Sequence, residues 1–136
     1  HIDSVLFYFS NAVKIDSTIK EAFYNMAWAF NSKKEYDKAI QYAAKALEID
    51  NGYRVAYGEL GFSYSSTKKY AEAVEQFKKN LAISKVDIAM LYSGYAYTEL
   101  NNKEAALEHY EALKKINERM ANNLRKKIDA MPVKTD

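Results

Sequence analysis

The 136-residue sequence contains no cysteine, which excludes disulfide bonds, thiolate metal sites and cysteine nucleophiles. Of its two histidines, His109 stands close to Glu108 and Glu111, but neighbouring helical residues point to different faces and form no ligand cluster. We therefore expect His109 to be a solvated helix residue. No serine, threonine or tyrosine is recognisably paired with a general base. The sequence predicts no catalytic residue, no metal and no cofactor, and therefore a protein that is not an enzyme.

Turn-forming residues are scarce, with four glycines and one proline. All-β folds and glycine-rich phosphate loops use more of them. The longest apolar runs have five residues, as at 5–9, and are far shorter than the roughly 20 residues of a membrane span. The chain has instead stretches of high helix propensity, such as residues 43–48 and 104–115. Length and composition together predict one all-α domain without a membrane span.

Neither sign of charge is in large excess, because 20 Lys and Arg face 18 Asp and Glu. A globally basic nucleic-acid binder is therefore not expected. Basic residues do cluster over 114–136, where seven Lys and Arg stand against three Asp and Glu. We interpret this segment as a polar helix face, since it contains no aromatic residue that could stack on bases. Nucleic acid is not an expected partner.

An internal period of 33 or 34 residues runs through the chain. Three sets of positions follow it: Val5, Ala39, Ala73 and Ala106; Ala12, Ala46, Asn80 and Leu113; Ile15, Ile49, Ile83 and Ile116. Because most of these positions are small or apolar, the repeated feature is a core. Repeats of this length are typical of stacked helical units that bury a continuous core together.

At these positions the sequence resembles the tetratricopeptide repeat, which has a period of about 34 residues. The second repeat carries the family pattern of large, small and aromatic residues nearly intact: Tyr57, Leu60, Gly61, Tyr64, Ala73 and Phe77. The resemblance covers residues 2–117. It implies an all-α, right-handed α-solenoid of antiparallel helix pairs, about seven helices with a C-terminal capping helix. The expected divisions are 1–19 (the second helix of a partial repeat), repeats 20–53, 54–86 and 87–117, a capping helix 118–131 and a tail 132–136.

Small residues recur where the two helices of each pair should meet. Gly61 precedes Ala73 by twelve residues, and Gly94 likewise precedes Ala106. With a short turn between the helices, we expect each glycine to face its alanine, so that the helices approach closely.

In this family the first helices of the pairs line a concave surface that holds peptides or partner helices. The resemblance therefore implies a non-catalytic interaction module with an aromatic-lined groove. The groove residues carried over to this sequence are Tyr24, Asn25, Trp28, Asn31, Glu59, Phe62, Ile88, Tyr92 and Tyr95. Some family members bind a C-terminal carboxylate through Lys, Asn and Arg on this face. None of the matching positions is basic here, and Glu59 would repel a carboxylate, so we expect a ligand with apolar side chains.

The two ends differ. Residues 1–19 match only the second helix of a repeat, and they carry an apolar stripe: Val5, Leu6, Phe9, Ala12 and Val13. Two interpretations stay open: the chain is a fragment of a longer array, or Val5, Leu6, Phe9 and Val13 drive homo-oligomerisation as part of a self-assembling scaffold. At the other end, an apolar stripe on an otherwise polar helix predicts a cap: Met120, Leu124, Ile128 and Met131.

Overall fold

A computed structural model describes residues 1–133 of the chain. Within that range the fold consists of eight α-helices and no strand. The helices are α1 (Ile2–Ile15), α2 (Lys20–Ser32), α3 (Tyr36–Ile49), α4 (Arg54–Ser66), α5 (Tyr70–Ile83), α6 (Asp87–Glu99), α7 (Lys103–Ile116) and α8 (Glu118–Asp129). The predicted all-α solenoid with a final capping helix is confirmed.

The helices form two layers. Each helix packs on the next one along the chain, and α2, α4, α6 and α8 also contact one another in sequence. Within residues 1–133, no corresponding contact joins α1 with α3, α3 with α5, or α5 with α7. Because one layer is close-packed and the other is splayed, the array curves with α2, α4, α6 and α8 on its concave side.

The turn inside each helix pair has the same backbone geometry in all three repeats. Lys34, Lys68 and Asn101 adopt positive φ values of 61°, 62° and 56°. In the first of these turns, the amide of Glu35 donates to the carbonyl of Phe30 over 2.9 Å. This left-handed residue after a helix end satisfies carbonyls that would otherwise lack partners, and it reverses the chain within three residues.

Two of the small residues at the predicted helix contacts, Gly61 and Gly94, lie against large side chains. A Cβ placed on Gly61 would lie 2.6 Å from the ring of Phe77, and one on Gly94 would lie 2.6 Å from Leu124 Cδ2. Phe77 is only 2% exposed and Leu124 is completely buried. Each glycine thus admits a bulky neighbour from another helix, and for Gly94 that helix is α8.

The core is unevenly distributed along the array. Its largest cluster has seven buried residues and joins α6, α7 and α8. It includes Leu124 and Ile128 of the predicted cap, against which the half-buried Met120 and Met131 pack. The other three clusters have three buried residues each. The C-terminal end of the solenoid is therefore the most extensively packed.

Helix α1 contributes no buried residue. The predicted stripe of Val5, Leu6, Phe9 and Val13 is half-buried. Of these four, Val13 packs on the cluster that contains the buried side chain of Phe23 in α2.

The expectation for His109 is wrong. Its side chain is half-buried, its Nδ1 lies 3.0 Å from the carbonyl oxygen of Ala105, and its ring centroid lies 5.3 Å from that of Tyr97. Burial lowers the pKa of His109, so the packed ring favours its neutral form.

Candidate functional site

The concave layer contains an open cavity of about 420 Å³ between α2, α4 and α6. Seven of the nine predicted groove residues line it: Tyr24, Trp28, Asn31, Glu59, Phe62, Ile88 and Tyr92. We call this space the central cavity. Its size is within the range of small-ligand and side-chain pockets in proteins.

Helical spacing explains why these side chains meet. Tyr24, Trp28 and Asn31 follow one another by four and three residues and therefore share one face of α2. Ile88 and Tyr92 have the same relation on α6. Between these faces, α4 presents Gly58, whose missing side chain leaves space above the amide of Asn80. The first helices thus build two walls and a floor.

The walls are aromatic and partly accessible. Trp28 is 39% exposed, and Tyr24, Phe62 and Tyr92 are half-buried. Phe62 and Tyr92 meet edge to face, with ring centroids 5.8 Å apart and an interplanar angle of 76°. Such contacts hold the rings in fixed orientations while part of each ring still borders the cavity.

Tyr95 lies on a second, smaller cavity of about 200 Å³, which Phe62 and Tyr92 also border. The rings of Tyr92 and Tyr95 are 6.2 Å apart, and Lys127 of α8 places its Nζ 5.2 Å from the Tyr95 ring centroid. We call this space the C-terminal cavity. The predicted groove residues therefore divide over two adjoining cavities that share a wall.

A polar cluster lies at one side of the central cavity. Asn31 is only 5% exposed, and its Nδ2 donates to Glu59 Oε2 over 2.7 Å. The hydroxyl of Ser63 donates to Asn31 Oδ1 over 2.6 Å. Burial raises the pKa of Glu59, while the hydrogen bond from Asn31 opposes that shift. Asn31 is therefore held in the structure, and its amide fixes the carboxylate of Glu59 at the cavity.

Asn25 is the one predicted groove residue that borders neither cavity. Its Nδ2 donates to the carbonyl of Glu21, one turn earlier in α2, over 2.7 Å. Conversely, Asn80 and Arg54 line the central cavity but were not in the predicted groove. A sequence signal for Asn80 existed, because it is the polar member of a repeated position that is otherwise Ala or Leu.

No group of three or more His, Cys, Asp and Glu side chains among residues 1–133 is arranged to hold a metal ion. None of the helices in this range has the length and apolar character required to cross a bilayer.

Three family models of the tetratricopeptide repeat match residues 20–53, 55–86 and 88–117. Together they cover more than half of the chain. The chain belongs to the tetratricopeptide repeat family. In this tetratricopeptide repeat protein, the concave layer is the surface built by the first helix of each repeat, and α8 continues that layer beyond the last repeat.

Solved structures share this fold. YrrB, described as a TPR protein with an unusual peptide-binding site, superposes with a TM-score of 0.81 and 24% identity, covering 88% of this chain and 62% of YrrB. The first TPR of Spaghetti (RPAP3), bound to the HSP90 peptide SRMEEVD, superposes with a TM-score of 0.77 and 24% identity, covering 85% of this chain and 94% of that one. The Arabidopsis OM64 TPR domain superposes with a TM-score of 0.76 and 17% identity, covering 81% of this chain and 93% of that domain. The chain thus spans less than two thirds of YrrB. No curated protein matches the sequence.

Proposed function

We propose that this tetratricopeptide repeat protein is a non-catalytic interaction module that binds a peptide or helix in the groove formed by the central and C-terminal cavities. The observation that carries the proposal is the aromatic central cavity, open on the concave layer and lined by all three first helices. Because Phe62 and Tyr92 border both cavities, one bound segment can contact both.

The partly exposed rings supply the physical reason for binding. Tyrosine and tryptophan are preferred at interfaces, because one side of each ring is apolar and the other carries a polar group. A partner segment that covers Trp28 and Tyr95 removes their apolar surface from water. The rings are already oriented by contacts such as that between Phe62 and Tyr92, so little ordering cost opposes association.

Two structural neighbours support the peptide class of ligand, since YrrB is described as having an unusual peptide-binding site and the first TPR of Spaghetti (RPAP3) is bound to a peptide. The position of Glu59 argues against the acidic peptide of the second neighbour. Glu59 places a carboxylate in the central cavity, where the peptide SRMEEVD would meet like charge. We therefore expect no detectable binding of SRMEEVD to this chain.

The test is a selection of binders from a phage-displayed library of random dodecapeptides, followed by fluorescence anisotropy with labelled synthetic copies. We expect affinities of about micromolar for wild type. Trp28→Ala and Tyr95→Ala should each weaken binding about tenfold or more, because each removes an aromatic anchor. Phe7→Ala is the matched control, since Phe7 is 72% exposed on α1, outside both cavities. Unchanged affinity in both groove variants, with circular dichroism showing intact folding, would contradict the proposal.

A second candidate function is self-assembly through α1. The observation that favours it is the apolar surface of this helix, where Phe7, Tyr8 and Ile15 are 72%, 68% and 89% exposed beside the predicted stripe. Sedimentation over a wide concentration range tests it. We expect mass to rise with concentration for wild type and Phe9→Glu to shift the protein towards monomer, while Phe62→Ala leaves the mass unchanged. A monomer at every concentration would exclude this candidate.

A further inference from the structure

Glu59 is a half-buried carboxylate without a cationic partner. Its Oε2 accepts one hydrogen bond, from Asn31 Nδ2 over 2.7 Å. Among residues 1–133, no Lys, Arg or His lies within ion-pair distance of it. Partly buried carboxylates are normally paired, because removal from water without compensation is costly. The free protein already bears part of this cost, so a cation from a partner would gain attraction at a smaller further desolvation cost than at a fully exposed carboxylate.

The described groups around Glu59 provide no cation beside its carboxylate. Arg54 is the one cation among the described residues of the central cavity. It precedes Glu59 by five residues, which turns the two side chains about 140° apart on α4. Asn80 also lines the cavity and donates its Nδ2 to the carbonyl of Arg54 over 3.0 Å, while its buried Oδ1 has no hydrogen-bond partner among residues 1–133. Glu59 is therefore the incompletely satisfied acceptor that a ligand in this cavity can reach.

The surrounding rings favour a cation in the same place. Trp28, Tyr24 and Tyr92 line the cavity that contains the Glu59 carboxylate. Aromatic faces attract ammonium and guanidinium groups, and the attraction increases where water is displaced. The apolar parts of a lysine or arginine side chain can pack along such rings while the charged end reaches a carboxylate. A carboxylate within an aromatic cavity therefore matches both parts of a basic side chain.

We propose that the central cavity takes a lysine or arginine side chain of the bound partner segment, with Glu59 as its counter-ion. The inference rests on the proposed groove function and specifies the chemistry of its ligand. The partner is a segment with a basic residue flanked by apolar residues. Hydrogen bonds to charged groups contribute about 1.5–3 kcal/mol, so neutralising either member should weaken binding about ten- to hundredfold.

The experiment compares peptide selections on wild type, Glu59→Gln and the control Glu72→Gln. Glu59→Gln keeps the shape and the acceptor for Asn31, and Glu72 is an exposed residue of the outer helix α5. We expect dodecapeptides selected on wild type and on Glu72→Gln to share one basic position among apolar ones. We expect those selected on Glu59→Gln to keep the apolar positions and lose the basic one.

Direct titration completes the test. For a selected peptide, replacing the basic residue by norleucine should weaken binding to wild type about ten- to hundredfold and change binding to Glu59→Gln less than threefold. Selected peptides without a basic position, or an equal loss on both proteins, would overturn the inference and leave the groove function standing. A library that yields no binder sensitive to Trp28→Ala would overturn the groove function, and the inference with it. Enrichment of acidic residues would assign the ligand to Arg54 and also overturn the inference.

Discussion

The two glycines of α4 provide a matched pair for measuring how tightly the helices of one repeat pack. Gly58 and Gly61 lie three residues apart inside the same helix. Substitution by alanine gives each position the same gain in helix propensity, about 1 kcal/mol. The surroundings differ: a Cβ at Gly61 meets three ring atoms of Phe77 at 2.6–2.8 Å, whereas one at Gly58 meets only Asn80 Nδ2, at 3.1 Å.

The expected effects follow from these distances. Carbon atoms pack best at about 3.5–4.0 Å, so Gly61→Ala requires the ring of Phe77 to move by roughly 1 Å. Phe77 is 2% exposed and has little space for such a movement. Overpacking of this kind costs about 1–3 kcal/mol. We expect Gly61→Ala to lower the free energy of unfolding by about 1 kcal/mol and Gly58→Ala to leave it unchanged or raise it slightly.

Urea denaturation followed by circular dichroism measures both free energies, and their difference cancels the helix-propensity contribution. The predicted difference between the two variants is about 1–2 kcal/mol. A Gly61→Ala protein as stable as Gly58→Ala would show that Phe77 is not confined. The account of Gly61 as the position that admits this ring would then be refuted.

Three further predictions concern the polar cluster and the cap. Asn31→Ala should lower the free energy of unfolding by about 2 kcal/mol, because the Glu59 carboxylate loses its donor and Ser63 keeps only the Glu59 carbonyl as an acceptor; urea denaturation measures this, and no loss would contradict it. Burial in the folded state raises the pKa of Glu59 from its ordinary value of 4.5. The contribution of Glu59 to stability is therefore lost as pH rises through this raised pKa, because the folded state holds the proton more tightly than the unfolded chain does. Glu59→Gln should therefore be more stable than wild type at pH 7, with a difference that shrinks below pH 4.5 in urea denaturation; a pH-independent difference would refute the assignment. Leu124→Ala should lower the free energy of unfolding by about 3 kcal/mol, since it leaves a cavity at a completely buried position. If thermal unfolding shows a decrease of less than about 1 kcal/mol, α8 is not part of the core.

The sequence predicted the helices well because the repeat imposes the same small and apolar positions three times. The repeat expected over 54–86, for example, contains the helix pair α4 and α5. The partners of the small residues could not be predicted in the same way. A spacing of twelve residues places Gly61 and Ala73 at the same level of two helices. The space beside a glycine, however, is occupied by whichever large side chain reaches it, and spacing does not define that side chain. Phe77 comes from one turn further along α5, and Leu124 comes from a helix outside the repeats.

The family resemblance placed Trp28 and Phe62 in one groove, and both residues line the central cavity. What individual polar residues do there depends on distances that spacing does not define. Asn31 was expected in the groove and lines the central cavity, where it also hydrogen-bonds to Glu59 and Ser63. Asn25 was expected beside it and is bonded to its own helix. Whether any groove residue binds a partner stays a prediction that the peptide selections test.

The uneven core gives the two walls of the central cavity different mechanical properties. The wall that carries Tyr92 belongs to α6, which shares the seven-residue cluster with α7 and α8. The wall that carries Trp28 belongs to α2, which is flanked on its N-terminal side by α1, a helix without a buried residue. Repeat arrays open locally where neighbouring interfaces are weakest. We therefore expect the Trp28 wall to yield more readily than the Tyr92 wall, with amide hydrogen exchange fastest in α1, intermediate in α2 and slowest in α6.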